Sequence, residues 1–325
     1  MNFFESLHID QNRIRRYAHT RAWIADSHPP FRYHIDNTDL SSILGLCWES
    51  PWSTWQQIRS QQLTPPRIQK MNQSLKWTPI LRRLFENHTA RSCDLEWRRI
   101  QHKELDWAQS SLFSLSFDPS EGKYGGVLYH ISSKPERFAE DGSMITRWSE
   151  EQLPANIAME GYWTMLCTDI PFVDIVVAFP SNRDLVSIRV IRLYKDEDIQ
   201  KGIEHATRSW RERHLIQGVP PQLDGSRECS NHLMEQYRYG GQRIRRASKD
   251  EEQLLESYND LSDQIKLLQE QQRAMRNQIF AQVGTDKGVQ TSNGSKAIIS
   301  RSTRGFQLRT FNKNRSKNKT KTKVS

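Results

Sequence analysis

The last 25 residues of the chain concentrate its cationic side chains. Residues 301–325 contain nine Lys and Arg residues and no Asp or Glu. Without those nine, the 47 basic residues of the chain fall to 38, which equals its number of acidic residues. The net charge of +9 therefore belongs to this stretch, and a uniformly basic, histone-like protein is excluded. Cations without neighbouring acids predict contact with phosphate groups, weakened steeply by salt.

The cysteine and histidine residues predict neither a disulfide scaffold nor a zinc site. The four cysteines lie far apart without a CxxC pair, which favours a reduced compartment; they are Cys47, Cys93, Cys167 and Cys229. His205 and His214 lack the spacing of zinc ligands. The beginning of the chain lacks the apolar run of a signal peptide, and no stretch approaches the ~18 apolar residues of a membrane span. We expect a cytoplasmic protein that does not enter a membrane.

The body of the chain mixes helix and strand patterns. Strand patterns, with apolar and hydroxyl residues between turn residues, occupy 112–117, 127–131, 172–179 and 185–194. Helix patterns occupy 40–44, 52–58, 91–107, 153–165 and 196–217. Residues 60–79, with three prolines, predict a loop, and the Gly-rich segment 118–126 predicts a turn.

Residues 250–283 carry the clearest periodic pattern in the sequence. Every fourth and then third residue belongs to one seam: Leu254, Tyr258, Leu261, Ile265, Leu268, Gln272, Met275 and Ile279. This heptad spacing predicts a long helix that packs within the chain or against another chain. Residues 297–311 predict a small hairpin with Arg304 and Gly305 at its turn, and 312–325 predict a disordered basic tail.

Five short motifs follow one another in a particular order. They read RYHIDNTDLSSILG at 32–45, WESPWSTW at 48–55, DLE at 94–96, DIPFVDIVVAF at 169–179 and WRERHLIQGVPP at 210–221. Each is weak alone, but their order resembles that of the YqaJ-type viral recombinases, relatives of the phage lambda exonuclease. Asp36-Asn37-Thr38 stands where that family has Gly-Gly-Ser, and Trp97 stands where it has Pro.

The resemblance implies a PD-(D/E)xK nuclease fold, in which helices flank a mixed sheet. It implies digestion of duplex DNA from a 5′ end, with Mg²⁺ or Mn²⁺ held by carboxylates if the protein is active. The predicted organisation begins with a polar lead-in at 1–30 and a nuclease-fold domain at 31–228. A basic linker at 229–249, the heptad helix at 250–283, the hairpin at 284–311 and the tail at 312–325 follow.

The active-site pattern of the family is incomplete in this chain. By resemblance, Glu96 and Asp118 take the positions of the catalytic and metal-binding carboxylates. The family's next strand reads Glu-x-Lys, but here Tyr129 and Ile131 occupy those positions. A slip of one residue brings His130 to the site as a catalytic candidate, without a carboxylate. Glu160 stands where the family has Gln.

A literal Glu-x-Lys pair does occur, as Glu121 and Lys123, but it falls within the predicted turn. It is an alternative in which Glu121 binds metal and Lys123 assists catalysis from a loop. Each of these residues also has a non-catalytic interpretation. Glu96 could be a solvent-exposed charge on a helix, Asp118 before a proline could begin a turn, and His130 on a strand could be a packed side chain.

Three functions follow from these patterns. The first is a phage or prophage type of recombination nuclease on linear duplex DNA ends, with catalysis impaired or lost because Glu-x-Lys is missing. The second is an inactive protein that binds DNA ends or a recombination partner, such as a single-strand annealing protein. The third is an unrelated coiled-coil interaction protein. The resemblance also implies a homo-oligomer in the cytoplasm of a bacterial host or a virus-infected cell. The predicted DNA contacts are Arg32, Thr38, Arg301, Arg304, Arg309, Lys313, Arg315 and Lys317.

Overall fold

The computed structural model of the protein divides into two compact units, Met1–Gly240 and Gly241–Ser325. The structure describes residues 9–18, 22–23, 34–47, 49–60, 63, 65–132, 137–138, 144–145, 148, 153–179, 187–238, 240–241, 243–292, 294–302 and 305–311. No helix within these ranges has the length and apolar character needed to cross a bilayer.

The first unit is a mixed α/β structure in which helices flank the sheets. Its helices are α1 (Asn37–Ile43), α2 (Pro51–Ser60), α3 (Pro65–Thr89), α4 (Ala155–Thr168), α5 (Glu197–Arg211, extended by a π turn, Glu212–Ile216) and α6 (Arg227–Gln236). Its strands are β1 (Ile14–Tyr17), β2 (Trp97–Gln101), β3 (Gln109–Ser111), β4 (Ser114–Asp118), β5 (Lys123–Ile131), β6 (Arg137–Phe138), β7 (Met144–Ile145), β8 (Phe172–Phe179) and β9 (Ser187–Tyr194).

A four-stranded sheet in the order β4-β5-β8-β9 organises this unit. The pairs β4–β5 and β8–β9 are antiparallel, whereas β5 and β8 are parallel and are connected through α4. A parallel pair needs such a crossover connection, which explains why a helical pattern separates two strand patterns in the sequence. A smaller antiparallel sheet, β1-β2-β3, lies in the same unit, and β6 pairs with β7.

Different helices pack against the two faces of the four-stranded sheet. Alternate residues such as Leu115, Leu128 and Ile175 face a core that includes Met165 of α4. The intervening positions, including Val127 and Val176, pack with Phe85 of α3. A third apolar cluster joins α1, α2, α4 and α5 around the fully buried Trp163. The face on which a β4 or β5 side chain lies therefore decides which helix it can meet.

The predicted helix over 91–107 is wrong, because this segment contains β2. Arg98 and Arg99 are buried there and are neutralised by acidic residues. Arg98 donates to Asp94 at 2.7 Å, and Arg99 donates to Asp36 at 3.2 Å. Arg98 pairs locally with Asp94, but Arg99 pairs with Asp36, 63 residues away, and no pattern in a short window reveals that partner.

The predicted loop over 60–79 is also wrong for most of its length. Helix α3 runs from Pro65 to Thr89 and contains Pro79. An internal proline removes one helical hydrogen bond and typically costs about 3 kcal/mol. One face of the helix buries Leu75, Leu81 and Phe85. Burial of such side chains is worth about 1.5–3 kcal/mol each, which offsets the proline.

The second unit contains a long helix and a small sheet. Helix α7 runs from Lys249 to Val283, against a predicted 250–283, and begins with a capping box between Ser248 and Glu251. Three strands follow, β10 (Gly288–Gln290), β11 (Lys296–Ser302) and β12 (Gly305–Phe311), paired antiparallel in that order. In the β11–β12 register, Arg301 lies opposite Phe306 and Arg309 lies opposite Ile298.

Candidate functional site

A cavity of about 330 Å³ lies among α1, α3, α4 and β5. Thr38, His130 and Glu160, which the sequence singled out for separate reasons, all line it. Further polar lining comes from Asn37, Ser41, Glu49, Arg67, Thr78, Ser111 and Asn156. The cavity thus brings together Thr38 of the motif at 32–45, His130 of the predicted strand 127–131 and Glu160.

The first turn of α1 forms one rigid wall of the cavity. Asp36 caps the helix and Asp39 completes a capping box. Asp39 also forms a buried ion pair with Arg67 of α3. Ser111 of β3 donates its hydroxyl to Asp36 at 2.9 Å, which joins the helix to the small sheet. Burial raises the pKa of Asp36, although the charge of Arg99 acts against this shift.

His130 and Glu160 form the acid–base element of the cavity. Nε2 of His130 lies 3.6 Å from Oε2 of Glu160, and both side chains are about one-fifth exposed. The strand β5 presents His130 on the face that packs against α4, where Glu160 is located. One imidazole and one carboxylate can exchange a proton, but they supply a single carboxylate as a hard ligand for a cation.

Asp118 lies away from this cavity. It ends β4 and pairs in register with Lys123, the first residue of β5. His130 stands seven residues further along β5, which corresponds to roughly 23 Å at 3.3 Å per residue. Because seven is odd, the side chains of Lys123 and His130 also point to opposite faces of the sheet. Asp118 and His130 therefore cannot act on one ligand atom.

Asp118 belongs instead to a buried cluster of two aspartates and two arginines, here called the Asp–Arg cluster. It consists of Asp118, Asp174, Arg91 and Arg192. Arg192 donates to Asp118 at 2.6 Å and to the two carboxylate oxygens of Asp174 at 2.8 and 3.0 Å. Arg91 donates to Asp118 at 3.0 Å and also to Asp174. The two positive charges neutralise the two negative charges.

Both oxygens of the Asp118 carboxylate carry two hydrogen bonds. Oδ1 accepts from the backbone nitrogen of Ser120 at 2.9 Å and from its hydroxyl at 2.6 Å. Oδ2 accepts from Arg91 at 3.0 Å and from Arg192 at 2.6 Å. The bond from the Ser120 hydroxyl, followed by that from Arg192, holds the pKa of Asp118 far below its ordinary value. A carboxylate has about four lone-pair sites, and all of them are used here.

Glu96 is not brought to Asp118. Its backbone nitrogen bonds to the carbonyl of Phe113, just before β4, whereas Asp118 ends that strand. Five strand residues correspond to roughly 16 Å. The Glu96 side chain is 44% exposed and pairs with Arg98 at 3.1 Å and Arg16 at 3.4 Å. The two predicted metal ligands thus lie at opposite ends of β4.

The alternative pair, Glu121 and Lys123, does not lie wholly within the turn that the sequence predicted. Lys123 begins β5 rather than lying in the turn. Glu121 accepts a hydrogen bond from Tyr194 at 2.8 Å and lies 3.6 Å from Arg192. Glu121 therefore approaches Asp118 only through the guanidinium that already neutralises that aspartate.

Tyr129, which by resemblance occupies the position of the Glu in Glu-x-Lys, has a packing role. Tyr129 lies on the α3 face of β5, with its hydroxyl 3.9 Å from Sγ of Cys93. Burial raises the pKa of Tyr129, and it raises the pKa of Cys93 to about 12, so both groups stay neutral near pH 7. Neither side chain replaces a metal-binding carboxylate.

The donor set does not fit the magnesium or manganese ion that the resemblance implies. Within the described residues, no three His, Cys, Asp or Glu side chains are arranged to hold a metal ion. The neighbouring carboxylates of Asp118 and Asp174 are hydrogen-bonded to arginines that a cation would have to displace.

Sequence reasoning missed Arg91, Asp174 and Arg192 as partners of Asp118. One signal was present, because Asp174 is a charge within the otherwise apolar strand FVDIVVAF, and it is 1% exposed. A buried acid in such a strand requires a cationic partner, although the sequence does not say which one.

The predicted DNA contacts are distributed over the two units and the part of the chain outside the described residues. Thr38 lines the cavity, and Arg309 is exposed on β12 of the second unit. Arg301 lies within β11. Arg32, Arg304, Lys313, Arg315 and Lys317 lie outside the described residues.

Comparison with known proteins found similarity among solved structures only. No protein-family profile matches the chain, and no curated protein sequence matches it. An alkaline exonuclease, LHK-Exo from Laribacter hongkongensis, is 11% identical with a TM-score of 0.41, over 68% of this chain and 100% of that chain. LHK-Exo in complex with dAMP is 12% identical with a TM-score of 0.41, over 68% of this chain and 97% of that chain.

Proposed function

We propose that this protein is a relative of the phage-type recombination exonucleases that binds linear duplex DNA ends and has lost most or all metal-dependent cleavage. The ordered sequence motifs support the relationship, and the mixed α/β architecture agrees with it. The observation that carries the loss of cleavage is the saturation of Asp118 by Ser120, Arg91 and Arg192.

A metal ion at Asp118 would compete with two arginines for the carboxylate oxygens. Mg²⁺ binds through oxygen ligands in near-octahedral geometry and is reluctant to give up its waters. At the Asp–Arg cluster it would have to displace two guanidinium groups that are less than one-fifth exposed. Displacement would leave Arg91 and Arg192 buried beside the incoming divalent cation, which is strongly unfavourable.

Positive charge at the end of the chain supports DNA binding. The cationic stretch at 301–325 supplies phosphate contacts without sequence preference, as expected for a protein that meets DNA ends of any sequence. The resemblance adds a single-strand annealing protein as the partner expected at those ends and the cytoplasm as the place of action.

A nuclease assay with a binding readout tests the proposal. Purified full-length protein is incubated with 5′-labelled linear duplex DNA and Mg²⁺ or Mn²⁺, and a parallel sample is run on a native gel. We expect a shifted band, competed better by linear than by closed circular DNA, and no shortened products. Metal-dependent shortening that disappears in Asp118→Ala, while the variant keeps its circular dichroism spectrum, would refute the loss of cleavage. Absence of any band shift would refute DNA binding.

A further inference from the structure

Helix α7 presents to solvent an apolar seam with one polar member, Gln272. Of the large seam side chains, six are more than half exposed: Leu254, Tyr258, Leu261, Ile265, Leu268 and Met275. Apolar residues on a helix of a folded protein normally face a core. Along these 35 residues, Val283 at the C-terminal end is the buried one. The seam therefore has the character of an interface rather than of an ordinary solvated face.

The residue types on the seam determine how many helices the coiled coil contains. In heptad notation, the a positions are Tyr258, Ile265, Gln272 and Ile279, and the d positions are Leu254, Leu261, Leu268 and Met275. β-branched residues at a with leucine at d favour two parallel strands over three or four. The two central heptad layers, Ile265 and Leu268, follow this rule.

The flanking positions permit two identical helices to approach. The e positions are Leu255, Ser262, Gln269 and Arg276, and the g positions are Ser257, Gln264, Gln271 and Gln278. Arg276 is the one charge among these eight residues. Like-charge repulsion between copies is therefore absent along most of the seam, and self-pairing needs no second chain of opposite charge.

Gln272 decides the relative direction of the two helices. In a parallel, in-register pair, the Gln272 side chains of the two copies face each other and can exchange hydrogen bonds. In an antiparallel pair with the seams fully overlapped, Gln272 would instead face Leu261, and its amide would be buried without a partner. An unsatisfied buried amide costs roughly 1–3 kcal/mol. A single polar a position commonly specifies register in this way.

The length of α7 is sufficient for a stable dimer. Thirty-five residues span roughly 52 Å at 1.5 Å per residue. Knobs-into-holes packing along this length reaches the order of ~800 Å² per partner that stable interfaces bury. We infer that the occupant of the seam is a second copy of this chain, in a parallel two-stranded coiled coil built on α7.

Two neighbouring leucines provide a matched test of this interface. Leu268 occupies a d position and Leu267 a c position, and they are 62% and 56% exposed. The full-length chain and the variants Leu268→Lys and Leu267→Lys are studied by sedimentation equilibrium across about 1–100 μM. We expect the wild type and Leu267→Lys to have the mass of two chains, with dissociation constants within about threefold. Leu268→Lys should raise that constant by at least about 100-fold, since it places a charge in the seam of each copy.

Several outcomes would overturn the inference. A wild-type mass of one chain would show that the seam serves another partner, and a mass of three chains would reject the two-stranded form. Equal weakening by both lysine variants would reject the seam as the contact. Helix content is compared by circular dichroism, and Ile265→Ala provides a second, milder seam variant if Leu268→Lys fails to fold.

Direction is tested by cross-linking. Cys93, Cys167 and Cys229 are buried, so Cys47→Ser removes the accessible thiol and provides the background. In that background, Gln272→Cys should form a disulfide between copies on mild oxidation. Cross-linking that requires a mixture of Gln272→Cys and Leu261→Cys chains would instead establish an antiparallel pair. This proposal is independent of DNA binding, so either one can fail without the other.

Discussion

The Asp–Arg cluster shows how four side chains can satisfy one another where a metal site was expected. Each arginine donates to both aspartates, so that removal of any member leaves a charge without full compensation. The aspartates and Arg91 are at most 9% exposed, and Arg192 is 18% exposed. At such burial, an ion pair is costly to break even when its net contribution to stability is small.

The substitution Asp118→Asn tests this account in the folded protein. It removes the charge but keeps the size of the side chain, and it leaves two arginines beside Asp174 alone. We expect the free energy of unfolding to fall by about 3 kcal/mol at pH 7, the low end for a broken buried pair. Asp169→Asn is the matched control, because its ion pair with Lys195 is exposed and its left-handed backbone, φ 61°, suits asparagine. A loss below about 1 kcal/mol is expected there. Urea unfolding measures both values, and equal losses would contradict the account.

Acid should reproduce part of the same effect. The pKa of Asp118 is lowered in the folded state by Ser120 and Arg192, whereas in the unfolded chain it returns to about 3.9. The stabilisation is complete above the unfolded pKa and is lost as pH falls through about 3.9 toward the lower folded value. The stability of Asp118→Asn should therefore change less between about pH 5 and pH 3 than that of the wild type, as measured by urea unfolding at each pH.

At the scale of elements, a glycine permits close packing at one end of the four-stranded sheet. Gly125 of β5 lies beside Phe172 at the start of β8, and a Cβ at this position would overlap the phenyl ring. The guanidinium of Arg192 in turn lies 4.0 Å from the centroid of that ring. Gly125 thus allows Phe172 to lie over the strand, and Phe172 supports the arginine that holds Asp118 and Asp174.

Gly125→Ala should destabilise the sheet through this close approach. Overpacking of a close-packed site typically costs about 1–3 kcal/mol, and we expect a fall of about 2 kcal/mol in the free energy of unfolding. Gly202→Ala in α5 is the control, since nothing lies within 4 Å of the added Cβ. A helix-interior alanine should stabilise the protein by about 0.5–1 kcal/mol. Thermal or urea unfolding measures both variants, and a neutral Gly125→Ala would contradict the packing.

At the scale of the whole molecule, the cationic stretch divides into two parts with different settings. Among the described residues of its first part, Arg301 and Ser302 end β11 and Gly305–Phe311 form β12, and the two strands pair in register. Residues 312–325 follow the last strand and carry six Lys and Arg residues. A deletion that begins at 301 would remove strand pairing together with charge, so truncation after Phe311 is the cleaner change.

Truncation after Phe311 should weaken DNA binding and flatten its salt dependence. Removal of one phosphate-binding cation reduces the slope of log K against log salt by about 0.9, so removal of six would reduce it by at most roughly 5. Fluorescence anisotropy with a labelled duplex from about 50 to 200 mM salt measures the slope. Replacement of the six cations by glutamine, with the length kept, should have the same effect. Unchanged affinity and slope in both variants would reject a role for the tail.

The sequence by itself determined those features that depend on local pattern. The heptad repeat identified α7, runs of apolar and hydroxyl residues between turn residues identified the strands of the central sheet, and a count of charges located the cationic stretch. Order among weak motifs was enough to suggest a nuclease relative, and the missing Glu-x-Lys was enough to question its catalysis. The helix and strand inferences needed only neighbours within a few residues, which is the range over which helical and strand periodicity acts.

Only the tertiary structure decided what the predicted catalytic residues do. Arg91 and Arg192 lie 27 and 74 residues from Asp118 in the chain, and no local spacing reveals that pairing. In the segment predicted as a helix over 91–107, Arg99 of β2 pairs with Asp36, 63 residues away, and no local pattern reveals that contact either. A carboxylate is a metal ligand or an ion-pair partner according to which charges the fold places around it. That choice belongs to packing across the sheet and not to the residue type.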